Sequence, residues 1–302
     1  MAKILIADAI AKDGIELLKN AGHEVVVESY DADQLKTEIS KYDGIIVRSA
    51  TKVRVPHIEA AKNLKIIGRA GVGLDNIDVK DAEKAGITVV NTPAATSISV
   101  AELAIGHMIA AARWIGHGTA TMREGKWEKK MMNGSELFGK TVGVIGMGRI
   151  GQETAKRLLA FGMKVLAFDP YIKVSPIDGV EMVEKDKLVA ESDIITLHIP
   201  HTDETHYIID KPDFDKMKDG VILVNCARGG TVSEDALFEA LKSGKVGSAA
   251  IDVWEVEPVV GTHKLAEFPN VVMTPHIGAS ADEGQVRAGI EVAEKFIEFF
   301  RG

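Results

Sequence analysis

Gly143-Val144-Ile145-Gly146-Met147-Gly148-Arg149-Ile150-Gly151 is the stretch on which the reading of this chain turns. Glycines alone say little in a chain that has 29 of them. Here Gly146, Gly148 and Gly151 follow the strand pattern Thr141–Ile145 and open a helical pattern, the context a dinucleotide site requires. Gly146 permits the tight turn, Gly148 lets backbone approach a pyrophosphate, and Gly151 allows close packing of helix on strand. The N–H groups at the helix start then face the phosphates. Asp169 ends the next predicted strand, 18 positions after Gly151. Its carboxylate can accept from an adenosine ribose diol and would repel a 2′-phosphate, so NAD is favoured over NADP. In that context a plain glycine turn with a helix-capping Asp is the weaker reading.

On either side of it, short apolar runs alternate with amphipathic stretches, the pattern of parallel sheets covered by helices. Upstream, strands are predicted at Ile4–Ala7, Glu24–Val27, Gly44–Val47, Ile66–Gly68 and Thr88–Val90. Helices are predicted at Gly14–Asn20, Ala32–Ser40, Pro56–Ala61 and Lys80–Ala85. One long helical pattern, Ser97 to about Met122, interrupts this rhythm. The alternation restarts with strands at Thr141–Ile145, Lys164–Phe168, Ile194–Leu197, Val221–Val224, Ala249–Ile251 and Val271–Met273, and a final helix runs from about Ala281 to Phe300. Two alternating series imply an α/β protein of two doubly wound parallel sheets. The expected division is a flavodoxin-like substrate domain, residues 1–96 plus 281–302, and a Rossmann NAD-binding domain, residues 97–280.

Composition narrows the function classes. A length of 302 residues suits two domains of ordinary size. The single cysteine, Cys226, excludes an intrachain disulfide framework and is compatible with a reducing cytosol, so a cytoplasmic location is expected. Neither a secretory signal nor a bilayer-length apolar stretch is legible. A net charge of −8 gives no support to nucleic-acid binding, so an anionic substrate would need a local cationic pocket. No metal-ligand spacing is present.

Oxidation of an alcohol carbon needs a base for the hydroxyl proton and a cation for carboxylate and developing carbonyl oxygen. In open α/β sheets such groups sit beyond the carboxyl ends of strands. Arg228 ends the run Val224 to Gly230, Asp252 and Glu257 follow the next strand, and His276 follows the last. Spacing alone leaves these as candidates, since a His after Pro is more often a turn residue and an Arg before two glycines a solvated one. Gly71-Val72-Gly73 also follows a strand but has no third glycine, so it fails as an independent dinucleotide site. Its sequel, Leu74 to Asp78, reads as a cap leading into a short helix.

At these residues the chain resembles the D-isomer-specific 2-hydroxyacid dehydrogenases, and most of all their phosphoglycerate branch. The resemblance rests on VRSATKV (47–53), GRAGVGLDNID (68–78), AELAIGHMIAAAR (101–113), GKWEKK (125–130), GVIGMGRIG (143–151), NCARGG (225–230), IDVWEVEP (251–258) and TPHIGAS (274–280). It implies a catalytic set of Arg228, Glu257 and His276. His276 exchanges the hydroxyl proton, Glu257 orients the imidazole and favours its charged form, and Arg228 binds the carboxylate and polarises the carbonyl. Glu255 is the rival for the carboxylate, and the Glu before Pro258 follows the family pattern. It further implies that Asp252 meets the nicotinamide carboxamide, and that Val72, Arg149, Ile150, Asp169, Ile199, Cys226 and the run His276 to Ala279, Gly278 included, line NAD.

For a phosphorylated substrate the resemblance implies Arg48 as the phosphate ligand, with Ser49, Lys52 and the Gly71, Val72 and Gly73 loop beside Arg228 and His276. Arg54 could reinforce it, although a solvated charge is the commoner fate of Arg54 and Lys130. Lys129 matches a basic position that reaches a neighbouring subunit's site, and Trp127 reads as an interface or core anchor. The implied reaction takes 3-phospho-D-glycerate and NAD to 3-phosphohydroxypyruvate, the first step of serine biosynthesis, in a homodimer or dimer of dimers. Ala94 and Ala95 stand where a Gly-Asn pair is common. The sequence ends just after the final helix, at Gly302, and neither an appended regulatory domain nor inhibition by serine is expected. The alternatives are a glyoxylate, hydroxypyruvate or broad D-2-hydroxyacid reductase and, from another class, a dinucleotide-sensing co-repressor.

Overall fold

The computed structural model describes residues 1–302 and divides the chain into two compact units, Met1–Ser97 with Ala279–Gly302, and Ile98–Gly278. The first unit is a five-stranded parallel sheet of β1 (Lys3–Ile6), β2 (Glu24–Val27), β3 (Gly44–Val47), β4 (Ile66–Arg69) and β5 (Thr88–Asn91) in the order β2-β1-β3-β4-β5. Its helices are α1 (Lys12–Asn20), α2 (Ala32–Glu38), α3 (Val55–Ala60), α4 (Val79–Lys84) and the returning α11 (Asp282–Arg301). Alternate strand residues serve opposite faces, as a pleated sheet covered on both sides demands. Leu5, Ile45 and Ile67 pack with Leu35, Ile58 and Ala82 on one face, and Ile4, Ile46 and Ile66 with Leu18, Val292 and Phe296 on the other.

The second unit holds a seven-stranded parallel sheet, β6 (Thr141–Ile145), β7 (Lys164–Phe168), β8 (Val180–Met182), β9 (Ile194–Leu197), β10 (Val221–Asn225), β11 (Val246–Ile251) and β12 (Val271–Met273). The order is β12-β11-β10-β9-β6-β7-β8. Strand order reverses between β6 and β9, the switch point at which open sheets bind ligands. Around it lie α5 (Ser97–Ala112), α6 (Ile115–Arg123), α7 (Arg149–Ala160), α8 (Lys185–Glu191), α9 (Lys211–Lys216) and α10 (Glu234–Lys242). No single helix is long and apolar enough to cross a membrane.

The fold departs from the sequence expectations at four places. The long helix is two, α5 and α6, bent by 68° with Trp114 in the left-handed region at φ +58°. The C=O of Ala112, which the next helical turn would need, instead accepts the returning Ser135 N–H at 2.9 Å, and Trp114 Nε1 donates to the C=O of Asn133. A tertiary contact therefore ends α5, and no residue near the break signals it. Second, β8 went unrecognised because three residues at a sheet edge carry no legible period. Third, Asp78 precedes α4 without capping it. Its carboxylate accepts from Val55 N at 2.9 Å and Arg54 Nη1 at 2.8 Å, serving the start of α3 instead. Arg54 is thus an ion-pair partner rather than a solvated charge or a spare cation. Last, Trp127 is 79% exposed, so of the two expected roles, interface or core anchor, the core one falls away.

Candidate active site

The carboxyl ends of the second sheet's strands carry most of the candidate residues, beginning with the glycine turn after β6. Gly146 takes φ +96°, and a Cβ there would lie 2.5 Å from the C=O oxygen of His198. A Cβ on Gly151 would sit 1.9 Å from the Gly146 C=O oxygen, so α7 can begin this close only on glycine. A Cβ on Gly148 would meet nothing within 4 Å. The turn therefore presents bare backbone to open space at the start of a twelve-residue helix, a cradle for a phosphate group. Asp169, just past β7, accepts Met147 N at 2.9 Å, Tyr171 N at 2.9 Å and Ile172 N at 3.2 Å. The acid is thereby tied to the turn itself. Arg149 is exposed and Ile150 half-buried in the first turn of α7, and half-buried Ile199 packs against the turn from beyond β9. These residues fit a dinucleotide.

The second sheet also gathers Arg228, Glu257 and His276. Arg228 lies in a loop that Asn225 and Thr231 knit together. Asn225 Nδ2 donates to the C=O of Arg228 at 3.2 Å, Thr231 Oγ1 donates to the same oxygen at 2.7 Å, and Ala227 N donates to Asn225 Oδ1 at 3.1 Å. Gly229 is required there, since a Cβ would fall 1.8 Å from the Trp254 C=O oxygen. Nδ1 of His276 lies 2.7 Å from Oε2 of Glu257, and Oε1 of the same carboxylate accepts Trp254 N at 3.0 Å. Burial pushes the Glu257 carboxyl up, but the bonds from His276 and Trp254 and the charge of Arg228 outweigh it and hold the group below the usual carboxylate range. Glu255 faces elsewhere, accepting Glu234 N at 2.9 Å. Partly exposed His276 keeps its Nε2 for solvent or ligand.

Fully buried Asp252 organises the loop that carries His276. Its C=O accepts His276 N, Oδ1 accepts Ile277 N, and Oδ2 accepts Gly278 N, each at 2.8 Å. His276 is held at φ +54°, a conformation few residues other than glycine adopt. Oδ1 also accepts the Thr274 hydroxyl at 2.5 Å, and that hydroxyl lies 3.1 Å from Nε2 of buried His107. Nδ1 of His107 is 3.7 Å from the sulfur of Cys226, whose thiol burial pushes far above its ordinary range. Burial likewise lowers the pKa of His107, against a smaller opposing effect of Asp252. Asp252 and Cys226 were legible as candidates, whereas Asn225, Thr231, Thr274 and His107 were not. Their roles arise only from what the folded strand ends bring alongside.

In the first unit, Arg48 and Ser49 follow β3. Asp8, past β1, accepts Arg48 N at 2.6 Å, Thr51 N at 3.1 Å and the Thr51 hydroxyl at 2.7 Å, while Asn76 Nδ2 donates to the carbonyls of Arg48 and Thr51. The guanidinium of Arg48 reaches only long partners, Ala9 O at 3.4 Å and Gln285 Oε1 at 3.5 Å, beside a small cavity lined by Thr96 and Ala279 among others. Ser49 and Lys52 are exposed. Gly71, Val72 and Gly73 form a loop that Thr92 N, Asn91 Nδ2 and Arg69 Nη1 pin by its three carbonyls. Lys129, in the second unit, is exposed on the short turn Lys129–Met131.

Comparison with known proteins identifies the family. Residues 105–278 match the family described as D-isomer specific 2-hydroxyacid dehydrogenase, NAD binding domain. The chain is 52% identical over 299 residues to a hydroxypyruvate reductase of Thermotoga maritima, covering 98% of this chain and 97% of that protein. It is 50% identical over 303 residues to a D-3-phosphoglycerate dehydrogenase of Archaeoglobus fulgidus, covering 99% of this chain but only 58% of that longer protein. The structure of D-lactate dehydrogenase from Aquifex aeolicus complexed with NAD and lactic acid aligns at a TM-score of 0.86 and 30% identity, over 99% of this chain and 96% of the other. A glycine cradle with an acid tied to its turn, a carboxylate–imidazole pair beside an arginine, and half-identical relatives along nearly the whole chain lead to one conclusion: the protein belongs to the D-isomer-specific 2-hydroxyacid dehydrogenases, a family of NAD-dependent oxidoreductases.

Proposed function

We propose that this chain oxidises 3-phospho-D-glycerate to 3-phosphohydroxypyruvate, the first step of serine biosynthesis, with NAD as its partner. Bound NAD supplies the two-electron oxidation. His276 takes the substrate hydroxyl proton on Nε2 while Glu257, fixed on Nδ1, holds the ring in place. Arg228 binds the substrate carboxylate and steadies the oxygen that becomes a carbonyl, a task suited to a planar guanidinium. Gly146, Gly148, Arg149, Ile150 and Gly151 cradle the dinucleotide, Asp169 reads its ribose, and Ile199, Cys226, Asp252, Val72, Gly278 and Ala279 complete its lining. The substrate loop consists of Arg48, Ser49 and Lys52 with Gly71 to Gly73, and Lys129 serves a neighbouring subunit.

The observation carrying the phosphorylated substrate is Arg48. Its backbone is fixed by Asp8 and Asn76, yet its guanidinium has only two long hydrogen bonds, so a phosphate would gain far more than those contacts lose. A second reading, reduction of hydroxypyruvate or glyoxylate, is favoured by the relative that matches over nearly its full length. Specificity constants for 3-phosphoglycerate, D-glycerate and D-lactate, and in the reverse direction for 3-phosphohydroxypyruvate, hydroxypyruvate and glyoxylate, decide between them. The phosphorylated pair should lead, and Arg48→Gln should cost it about tenfold or more while sparing the unphosphorylated acids. Comparable constants across the panel would end the phosphoglycerate assignment. Assembly as a homodimer or dimer of dimers belongs to the same reading, supported by exposed Ile115, Met122, Trp127 and Met131, and is read by sedimentation.

A further inference from the structure

The buried and half-buried groups around Asp252 form a chain in which the hydrogen-bond directions follow from one another. The Asp252 carboxylate takes three donors, and one is the Thr274 hydroxyl at 2.5 Å. A hydroxyl has a single hydrogen, so the oxygen of Thr274 can only accept from the ring nitrogen 3.1 Å away. His107 therefore carries its proton on Nε2. Its Nδ1 is left as an acceptor facing the Cys226 sulfur, whose thiol donates. The run Cys226 to His107 to Thr274 to Asp252 thus points one way throughout, with Cys226, His107 and Asp252 buried and Thr274 partly so.

We infer that His107, acting through Thr274, is a positioning residue for the imidazole that moves the proton. The causal order is mechanical. His107 orients the Thr274 hydroxyl, the hydroxyl anchors one oxygen of Asp252, and the two Asp252 oxygens hold the Ile277 and Gly278 N–H groups that keep His276 left-handed. Trp254 braces the same point, donating from Nε1 to the Thr274 C=O at 3.1 Å and from its backbone to Glu257. Without the hydroxyl, Asp252 loses a strong buried bond and the His276 turn loses the restraint on its unfavourable φ. The ring then spends less time paired with Glu257 and aimed at substrate.

The inference rests on the reading of His276 as the proton-transferring group, so the test includes His276→Ala. In the intact enzyme, Thr274→Val should lower kcat by about 10–100-fold with a smaller change in substrate KM, and should raise the solvent deuterium isotope effect on kcat as proton transfer slows. Thr274→Ser, which keeps the hydroxyl, should stay within about threefold of the parent on the same scale. His107→Leu should reproduce the Thr274→Val pattern and add little to it in the double variant, because both break one chain. His107→Gln, with an amide donor near the Nε2 position, should fall between. A Thr274→Val enzyme that keeps parental kcat and isotope effect while His276→Ala is inactive overturns the inference alone. Near-parental turnover of His276→Ala overturns the reading of the site and this inference with it. If Thr274→Val does not fold, the same outcomes are read from His107→Leu and His107→Gln.

Discussion

Glu257 and Glu255 stand two residues apart in the loop that follows β11, yet only Glu257 meets the imidazole of His276, its Oε2 lying 2.7 Å from Nδ1. Glu255 instead exchanges backbone and side-chain bonds with Glu234. The two carboxylates should therefore separate cleanly in kinetics. His276→Ala should lower turnover by about 10²–10⁴-fold with NADH binding largely intact. Glu257→Gln should lower kcat in the same direction, since it removes the anion but not the bulk, whereas Glu255→Gln should leave kcat near the parental value. The reverse ranking of the two glutamates would reassign the orienting group.

Asp169 is tied to the glycine turn through Met147 N and to its own loop through Tyr171 N and Ile172 N, and the ribose-reading role proposed for it makes a prediction. Asp169→Ala should narrow the preference for NAD over NADP, by weakening NAD and by removing the charge that repels a 2′-phosphate. Paired specificity constants for the two cofactors check this, and an unchanged ratio would place the discrimination on another residue.

Gly229 is wedged against the Trp254 carbonyl, where a methyl group would approach backbone oxygen to 1.8 Å. Neither strand end can retreat without moving Arg228 on one side or Glu257 on the other. Gly229→Ala should cost stability on the order of 1–3 kcal/mol or more and should depress turnover beyond what that loss explains. Thermal unfolding measured beside activity of the folded fraction separates the two effects.

His198, just beyond β9, pairs Nε2 with the Thr196 hydroxyl at 3.1 Å and leaves Nδ1 buried without a partner. Burial pushes the ring pKa down to about 3. In the unfolded chain this group takes up a proton near its ordinary pKa of 6.5, while the folded chain does not, so acid favours unfolding. Its contribution is full above pH 6.5 and is lost progressively as pH falls towards about 3. His198→Gln should flatten the decline in unfolding free energy between about pH 6.5 and pH 5, above the range in which most carboxylates titrate. Urea unfolding at several pH values reads the slope, and identical slopes would mean the folded ring protonates freely.

The amino-acid sequence by itself carried the two sheets, nearly every strand within a residue or so, the glycine cradle and the strand ends where chemistry collects. It could do so because apolar period, glycine spacing and strand-end position are local properties that tertiary contacts rarely override. Resemblance to a family, rather than spacing, singled out Arg228, Glu257 and His276 from the other strand-end candidates. Folding alone sets the bonds between residues far apart in the chain. Ala112 gives its carbonyl to Ser135 and so ends α5. Asp78 serves α3 instead of α4, and His107 reaches Thr274 across 167 positions. Such bonds have no period and no neighbouring signal, because each exists only once folding has brought its two partners within hydrogen-bond reach.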